Sequence, residues 1–340
     1  MQQHEIQELQ NKIREVSVFL QPLKTEIGRI IAGQEKLINR LILSIIADGH
    51  ILLEGVPGLA KTLAVKTLAQ SIDGTFSRIQ FTPDLLPADI VGTTIYNHKE
   101  AAFSVRKGPI FANVVLADEI NRAPAKVQSA LLECMQEKQV TISGERHLMP
   151  RPFLVMATQN PIEQEGTYPL PEAQIDRFMF KLKIDYPARS EEKTIMERMA
   201  HPALELSALA VTSLQDIEAA RQWVDKVYVD DKILEYILDI TIATRPHRHS
   251  ELSNRQSGAN LSSLESLIEY GASPRASICM TLAAKASAFM QGRAYVDPQD
   301  VKNIAADVLR HRIILSYEAE AEGMDTDAVI GKIMNELRTP

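Results

Sequence analysis

The chain has 340 residues, 45% of them apolar and 24% charged, with a formal net charge of −7. That is the composition of an ordinary globular protein with room for two domains. The acidic excess is local: residues 1–190 carry 21 basic and 21 acidic side chains, residues 191–340 carry 16 and 23, the opposite of the bias that phosphate-backbone binding calls for.

The N-terminus, MQQHEIQELQNKIREV, is polar and charged, so no signal peptide is expected. The apolar run LINRLILSIIADGHILLEG is cut by Arg40, Asp48 and His50 and is too interrupted for a membrane span. Cys134 and Cys279 lack C-x-x-C spacing and read as small buried apolar residues in a reducing cytoplasm. The first 48 residues read as two helices, IQELQNKIREVSVFL and EKLINRLILSIIAD. Then strands and helices alternate. HILLEG is a strand, KTLAVKTLAQSI a helix and SRIQFT a strand. TTIYN and FSVRKG form a hairpin, NVVLADE a buried strand and PAKVQSALLECMQEK a helix. QVTISGERHLM is a second hairpin, FLVMATQN a strand and KLKIDYP the last strand. The alternation predicts an α/β domain with a parallel sheet flanked by helices, over residues 1–190. Beyond Pro187 the strand signal stops. SEEKTIMERMA, LQDIEAARQWVDKV, DKILEYILDITIAT, SPRASICMTLAAKASAFMQG and DPQDVKNIAADVLRHRI read as helices of an all-α domain, residues 191–340. RPHRHSELSNRQSGAN, 245–260, is polar and turn-rich and reads as a loop, with His247 and His249 solvent-exposed and not metal-bound. Trp223 reads as core at helical spacing with Ala219, Ala220 and Val227, and AEAEGMDTD, 319–327, as a charge-rich turn.

The chemistry concentrates at three strand ends. EGVPGLAKT joins a strand to a helix through Gly55, Val56, Pro57, Gly58, Leu59 and Ala60, running on into Lys61, Thr62 and Leu63. It matches the phosphate loop G-x-x-x-x-G-K-[ST] with Ala60 at the last glycine. Inward backbone N–H groups and a helix N-terminus suit phosphate. Lys61 would reach the β- and γ-phosphates, and Thr62 would bind Mg²⁺. Alone, so imperfect a match is as well read as a chance glycine turn. NVVLADE ends in Asp118, placed to hold Mg²⁺ through water, and Glu119, placed to polarise the attacking water. FLVMATQN ends in Asn160, whose amide would orient that water. Three such ends in this order make chance a poor account, because open α/β sheets bind ligands at their carboxyl edge. Arg177, in QIDRF, suits a charge-stabilising arginine from a neighbouring subunit, and Arg275, in GASPRAS, one that swings onto phosphates. By position alone a salt bridge of Arg177 with Asp176 or Glu172, and a solvated Arg275, are the simpler readings.

Four blocks, EGVPGLAKT, ADEINRAPAKVQSALLECMQE, ATQNPIEQEGTYPLPEAQIDRF and GASPRAS, resemble the signatures of the MoxR family of AAA+ P-loop ATPases, over about residues 30–330. The resemblance implies an AAA+ domain followed by a helical lid, with ATP and Mg²⁺ as ligands. In this family alanine commonly precedes the lysine, so Ala60 implies a working site. It also implies that Gly33 and Gln34 form the adenine-side entry, Lys61 and Thr62 Walker A, and Asp118 and Glu119 Walker B. Asn160 corresponds to sensor 1, Arg177 to the arginine finger, with Arg122 as its rival, and Arg275 to sensor 2. The implied assembly is a homo-oligomeric, hexameric ring that remodels protein clients, with a von Willebrand factor A domain partner in trans and the two hairpins gripping the client. A nucleic-acid motor is the second hypothesis, resting on Lys138, Arg146 and Arg151 against Glu145. It is weakened by the acidic lid. A P-loop small-molecule kinase is the third.

Overall fold

The structure, a computed structural model, describes residues 3–56, 58–98, 101–160, 166–200, 207–252 and 262–340. Helices α1 (Gln3–Val16), α2 (Leu20–Ile30) and α3 (Glu35–Ile46) lead into β1 (Ile51–Gly55), α4 (Lys61–Ser71) and β2 (Phe76–Gln80). Next come α5 (Pro87–Val91), the hairpin β3 (Gly92–Asn97) and β4 (Ala102–Lys107), then β5 (Val114–Asp118) and α6 (Ala125–Glu137). A second hairpin, β6 (Gln139–Ile142) and β7 (Glu145–Leu148), precedes β8 (Leu154–Gln159), α7 (Glu172–Ile175), β9 (Phe180–Ile184) and α8 (Arg189–Met199). The remainder is α9 (Leu214–Lys226), α10 (Asp231–Ala243), α11 (Ser262–Glu265), β10 (Ile268–Tyr270), α12 (Pro274–Met290), α13 (Pro298–Leu309), β11 (Ile314–Leu315), α14 (Tyr317–Ala321) and α15 (Thr326–Glu336). Packing divides the chain into two compact units, Val18–Phe178 with Leu182–Ala220, and Met1–Ser17 with Met179–Lys181 and Arg221–Pro340.

In the first unit the sheet runs β2-β5-β8-β1-β9, and the pairs β2–β5, β5–β8 and β8–β1 are parallel. Ile51–Leu53, Val114–Ala117 and Leu154–Ala157 are buried, as strands covered on both faces must be. Each of the larger apolar side chains contributes about 1.5–3 kcal/mol relative to exposure. Parallel pairing brings the carboxyl ends of β1, β8 and β5 side by side, with β8 between the other two. Gln80 is level with Asp118 and Glu54 with Gln159, so the polar residues that follow each apolar run emerge along one edge.

The two hairpins leave this sheet and touch each other through the Thr94 and Ser143 hydroxyls. The base of the first is closed by Gly92 and Gly108, where an added Cβ would meet backbone oxygens of Arg106 and Ile90 at 2.3 and 2.1 Å. Its strands present Tyr96 and Phe103, ring centroids 5.1 Å apart, with Phe103 74% exposed.

In the second unit α1 joins the C-terminal helices. Ile13 is fully buried, and Gln10 accepts from the Ala294 N–H at 3.0 Å and donates to the Gly292 carbonyl. Several expectations are revised. The first 48 residues form three helices, because a 3₁₀ turn, Ser17–Phe19, ends α1 and restarts the chain as α2. Pro22 sits in the first turn of α2, where its missing N–H has no intrahelical partner to lose. The second unit also holds a short antiparallel ribbon, β10 with β11, whose strands are too brief to show alternation. Residues Pro246–Glu251 are a 3₁₀ helix, while 253–260 of the expected loop lie outside the described residues. His249 is buried, its Nε2–H donating to the Ala243 carbonyl at 2.9 Å; only His247 is exposed as expected. Trp223 is half-buried with the Lys226 ammonium 4.2 Å from its ring centre, and so lies at the edge of its unit and not in the core. The 319–327 stretch is the junction of α14 and α15, where the Asp325 carboxylate caps α15 by accepting from the Ala328 N–H at 2.9 Å.

Candidate active site

The loop after β1 and the N-terminus of α4 form one side of a cavity of about 610 Å³ at the carboxyl edge of the sheet. Gly55, Gly58, Leu59, Ala60, Lys61, Thr62 and Leu63 line it from this side. Asp118 and Glu119 face it from the end of β5, Thr158, Gln159 and Asn160 from β8, Arg78 from β2 and Ile195 from α8. Val56 is half-buried in the same turn, and Pro57 lies outside the described residues. The expected Walker A and B residues and Asn160 are thus brought together around one space.

Each glycine position has its own reason. Gly55 packs so close to β9 that a Cβ would stand 2.9 Å from the Ile184 carbonyl. Gly58 has a free Cβ position but φ of +89°, which glycine alone adopts without strain. Ala60 is the N-cap of α4 at φ 54°, ψ 21°, the left-handed conformation that a glycine there would take more cheaply. Lys61 donates through Nζ to the Gly55 carbonyl. Burial pushes its ammonium below the usual lysine value, and Asp118 and Glu119 pull it back up.

The acids are tightly held. Asp118 Oδ1 accepts from the Thr158 hydroxyl at 2.6 Å, and Oδ2 accepts from Arg78. Thr158 Oγ1 in turn accepts from the Glu119 N–H at 2.8 Å, bridging the pair. Glu119 stands at φ 56°, ψ 50°. Strain of this kind in a non-glycine residue is commonest at functional sites. Its Oε2 accepts from Gln80 Nε2 at 2.8 Å and lies 3.3 Å from Arg122 Nη1. The Asp118 carboxylate and Thr62 hydroxyl are hard oxygen donors, few in number. That suits Mg²⁺, which takes one or two carboxylates and fills its remaining positions with phosphate and water. Among the described residues no group of three or more His, Cys, Asp or Glu makes a self-sufficient metal centre.

A second cavity of about 280 Å³ shares Gly58, Leu59, Ala60, Leu63 and Ile195 with the first. Ile30, Ile31, Ala32, Tyr186 and Pro187 make the rest of its wall largely apolar, with Glu192 and Arg198 as its charged members and Gln34, whose amide donates to the Leu59 carbonyl at 3.3 Å. An apolar slot joined to a polar cavity suits a flat heterocycle carrying phosphates. Gly33, at φ 68°, lines an adjoining cavity of about 560 Å³ with Gly28, Ile31 and Glu191. Sequence reasoning missed Arg78, Gln80, Thr158, Ile31, Tyr186 and Ile195. Only Arg78 and Gln80 carried a signal: in SRIQFT they alternate with the buried Ile79 and so share one face of their strand.

Arg177 and Arg122 belong to the same unit as the cavity but are not among the described residues that line it. Arg177 follows α7, half-buried, with Nη1 donating to the Leu132 carbonyl at 3.0 Å. Arg122 is tied to Glu119 within the chain. Arg275 belongs to the other compact unit, in the first turn of α12, where its N–H donates to the Ser273 hydroxyl at 3.2 Å.

Comparison with known proteins agrees with this geometry. Residues 50–180 match the ATPase family associated with various cellular activities, and residues 262–333 match the AAA lid domain. The chain is 48% identical over 315 residues to Chaperone MoxR1 of Mycobacterium tuberculosis (strain ATCC 25618 / H37Rv), covering 93% of this chain and 81% of that protein. It is 44% identical to YeaC of Bacillus subtilis (strain 168), covering 92% of each. A crystal structure assigned as an ATPase of Cytophaga hutchinsonii superposes with a TM-score of 0.88 at 47% identity, over 98% of both chains. No described helix is long and apolar enough to cross a membrane. By its phosphate loop, its paired acids and these relatives, the chain belongs to the MoxR family of AAA+ ATPases.

Proposed function

We propose that this chain hydrolyses ATP with Mg²⁺ and uses the turnover, as a homo-oligomeric ring, to remodel or mature protein complexes. The observation that carries the reading is the convergence of Lys61, Thr62, Asp118, Glu119 and Asn160 on one cavity joined to an apolar slot. In this reading Lys61 and the loop amides bind the phosphates, while Gly33 and Gln34 border the base. Asp118 and Thr62 hold Mg²⁺, which supplies charge neutralisation at the phosphates. Glu119 takes a proton from the attacking water, Asn160 orients that water, and Arg177 serves the neighbouring copy's site. Arg275 couples the lid, residues 191–340, to the nucleotide domain, residues 1–190. The relative named a chaperone supports the remodelling role. The exposed Phe103 and Tyr96 support the first hairpin as a client-gripping element. A von Willebrand factor A domain partner in trans, a hexameric ring and a cytoplasmic location belong to the same proposal.

The test is phosphate release from ATP by wild type and Glu119→Gln. The variant is expected to bind ATP normally and to lose about 10²–10⁴-fold in turnover, the usual contribution of a general base. Undiminished turnover would remove Glu119 from its assigned role.

A further inference from the structure

The cavity wall holds a cation that neither the phosphate loop nor the acid pair calls for. Arg78 lies on β2, the edge strand beside β5, and its half-exposed guanidinium closes on a single oxygen of Asp118. Nε stands 3.1 Å and Nη2 2.6 Å from Oδ2. Oδ1 is taken by the Thr158 hydroxyl at 2.6 Å, so protein donors engage both oxygens of the carboxylate assigned to Mg²⁺. The same Nη2 donates to Gln80 Oε1 at 2.9 Å. That bond decides which end of the Gln80 amide faces the acids, and Gln80 Nε2 accordingly donates to Glu119 Oε2 at 2.8 Å. One arginine therefore touches the metal-side acid directly and the water-polarising acid through a single amide.

A guanidinium and a divalent cation carry like charge and seek the same carboxylate oxygen, so they oppose each other. The pair is half-exposed on the arginine side, and ion pairs of that kind are weak enough to open. We infer that Arg78 competes with Mg²⁺ for Oδ2 of Asp118. When Mg-nucleotide loads, Arg78 yields the oxygen. Arg78 is thus a positioning residue that sets how readily Asp118 takes the metal.

This inference rests on the reading of Asp118 and Glu119 given above, and the test separates the two. It uses the full chain, ADP as nucleotide and Mn²⁺ as metal probe, so no turnover is involved. The electron paramagnetic resonance signal of free Mn²⁺ reports metal affinity of the ADP-loaded wild type, Arg78→Ala, Arg78→Lys and Asp118→Asn. A fluorescent ADP analogue in EDTA reports nucleotide affinity without metal. Arg78→Ala is expected to bind Mn²⁺ about fivefold more tightly, with metal-free ADP affinity changed by less than about twofold and Arg78→Lys in between. Unchanged Mn²⁺ affinity in Arg78→Ala overturns the competition. A large loss of ADP affinity in EDTA overturns it too, making Arg78 a phosphate ligand. A wild type that binds no ADP, or an Asp118→Asn variant that holds Mn²⁺ as well as wild type does, instead sinks the underlying reading of the site.

Discussion

At the scale of single residues, the phosphate loop is governed by backbone conformation more than by side-chain chemistry. Ala60 occupies the left-handed region at φ 54°, which costs a residue bearing Cβ about 1–2 kcal/mol. Replacing it with glycine removes that strain but gives the unfolded chain more freedom to lose, and the two effects nearly offset. Ala60→Gly is therefore expected to keep its ADP affinity and to change stability by less than about 1 kcal/mol in urea unfolding. Ala60→Val, branched at Cβ, should lose both. Failure of Ala60→Gly to bind ADP would mean the methyl group itself is needed. The departure from the glycine motif was visible in the chain; the left-handed conformation that makes alanine tolerable was not. Gly55 differs again, since its constraint comes from the Ile184 carbonyl on another strand, a contact more than a hundred residues away. Arg78 and Gln80 were legible only as same-face neighbours; which acids they hold depends on the order of strands.

At the scale of elements, what could be read locally was read well, and what depends on pairing was not. The apolar runs of β1, β5 and β8 marked the sheet, and the acids and Asn160 marked its carboxyl edge. The break that separates α1 from α2 was hidden by continuous helical spacing through Ser17–Phe19. The start of α9 was marked by Ser213-x-x-Asp216, the spacing of a capping box, and it carries a full cap. The Ser213 hydroxyl accepts from the Asp216 N–H at 3.2 Å, and Asp216 Oδ2 accepts from the Ser213 N–H at 2.9 Å, the Ser213 hydroxyl at 2.7 Å and the Thr212 hydroxyl at 3.1 Å. These bonds, those from Ser213 foremost, hold the Asp216 carboxyl below the usual aspartate range. A depressed carboxyl contributes stability that is complete above its unfolded-state value and lost as pH falls through the folded-state value. Asp216→Ala is expected to cost about 1 kcal/mol near neutral pH, a typical loss for a cap. The deficit should shrink once pH drops below about 4, where free aspartate begins to protonate. Urea midpoints at several pH values decide it: a deficit that stays constant into acid would assign the loss to packing.

At the scale of the whole molecule, the question is whether one chain contains everything its cavity needs. Charge spread over the oxygens of a transferring phosphoryl group calls for cations beyond the phosphate-loop lysine, and arginine fingers supply about 10³–10⁵-fold in related enzymes. Among the described residues lining the cavity the cations are Lys61 and Arg78, with Arg198 in the adjoining slot, and Arg78 is engaged by Asp118. Arg122 is paired with Glu119. Arg177, half-buried and bonded to the Leu132 carbonyl, is not among the described residues that line the cavity of its own chain; the proposed ring assigns it to the neighbouring copy's site. Specific ATPase activity should therefore rise with protein concentration as copies associate. Arg177→Ala should retain nucleotide binding by single chains but lose about 10³-fold in turnover. Mixing Arg177→Ala with Glu119→Gln gives the sharper reading. In a mixed ring some interfaces join an intact Glu119 from one copy to an intact Arg177 from the next, so activity should reappear although neither variant turns over alone. Activity independent of both concentration and Arg177 would instead describe a self-contained site. Loss on Arg122→Ala without loss on Arg177→Ala would place the needed arginine beside Glu119, in the chain that binds the nucleotide.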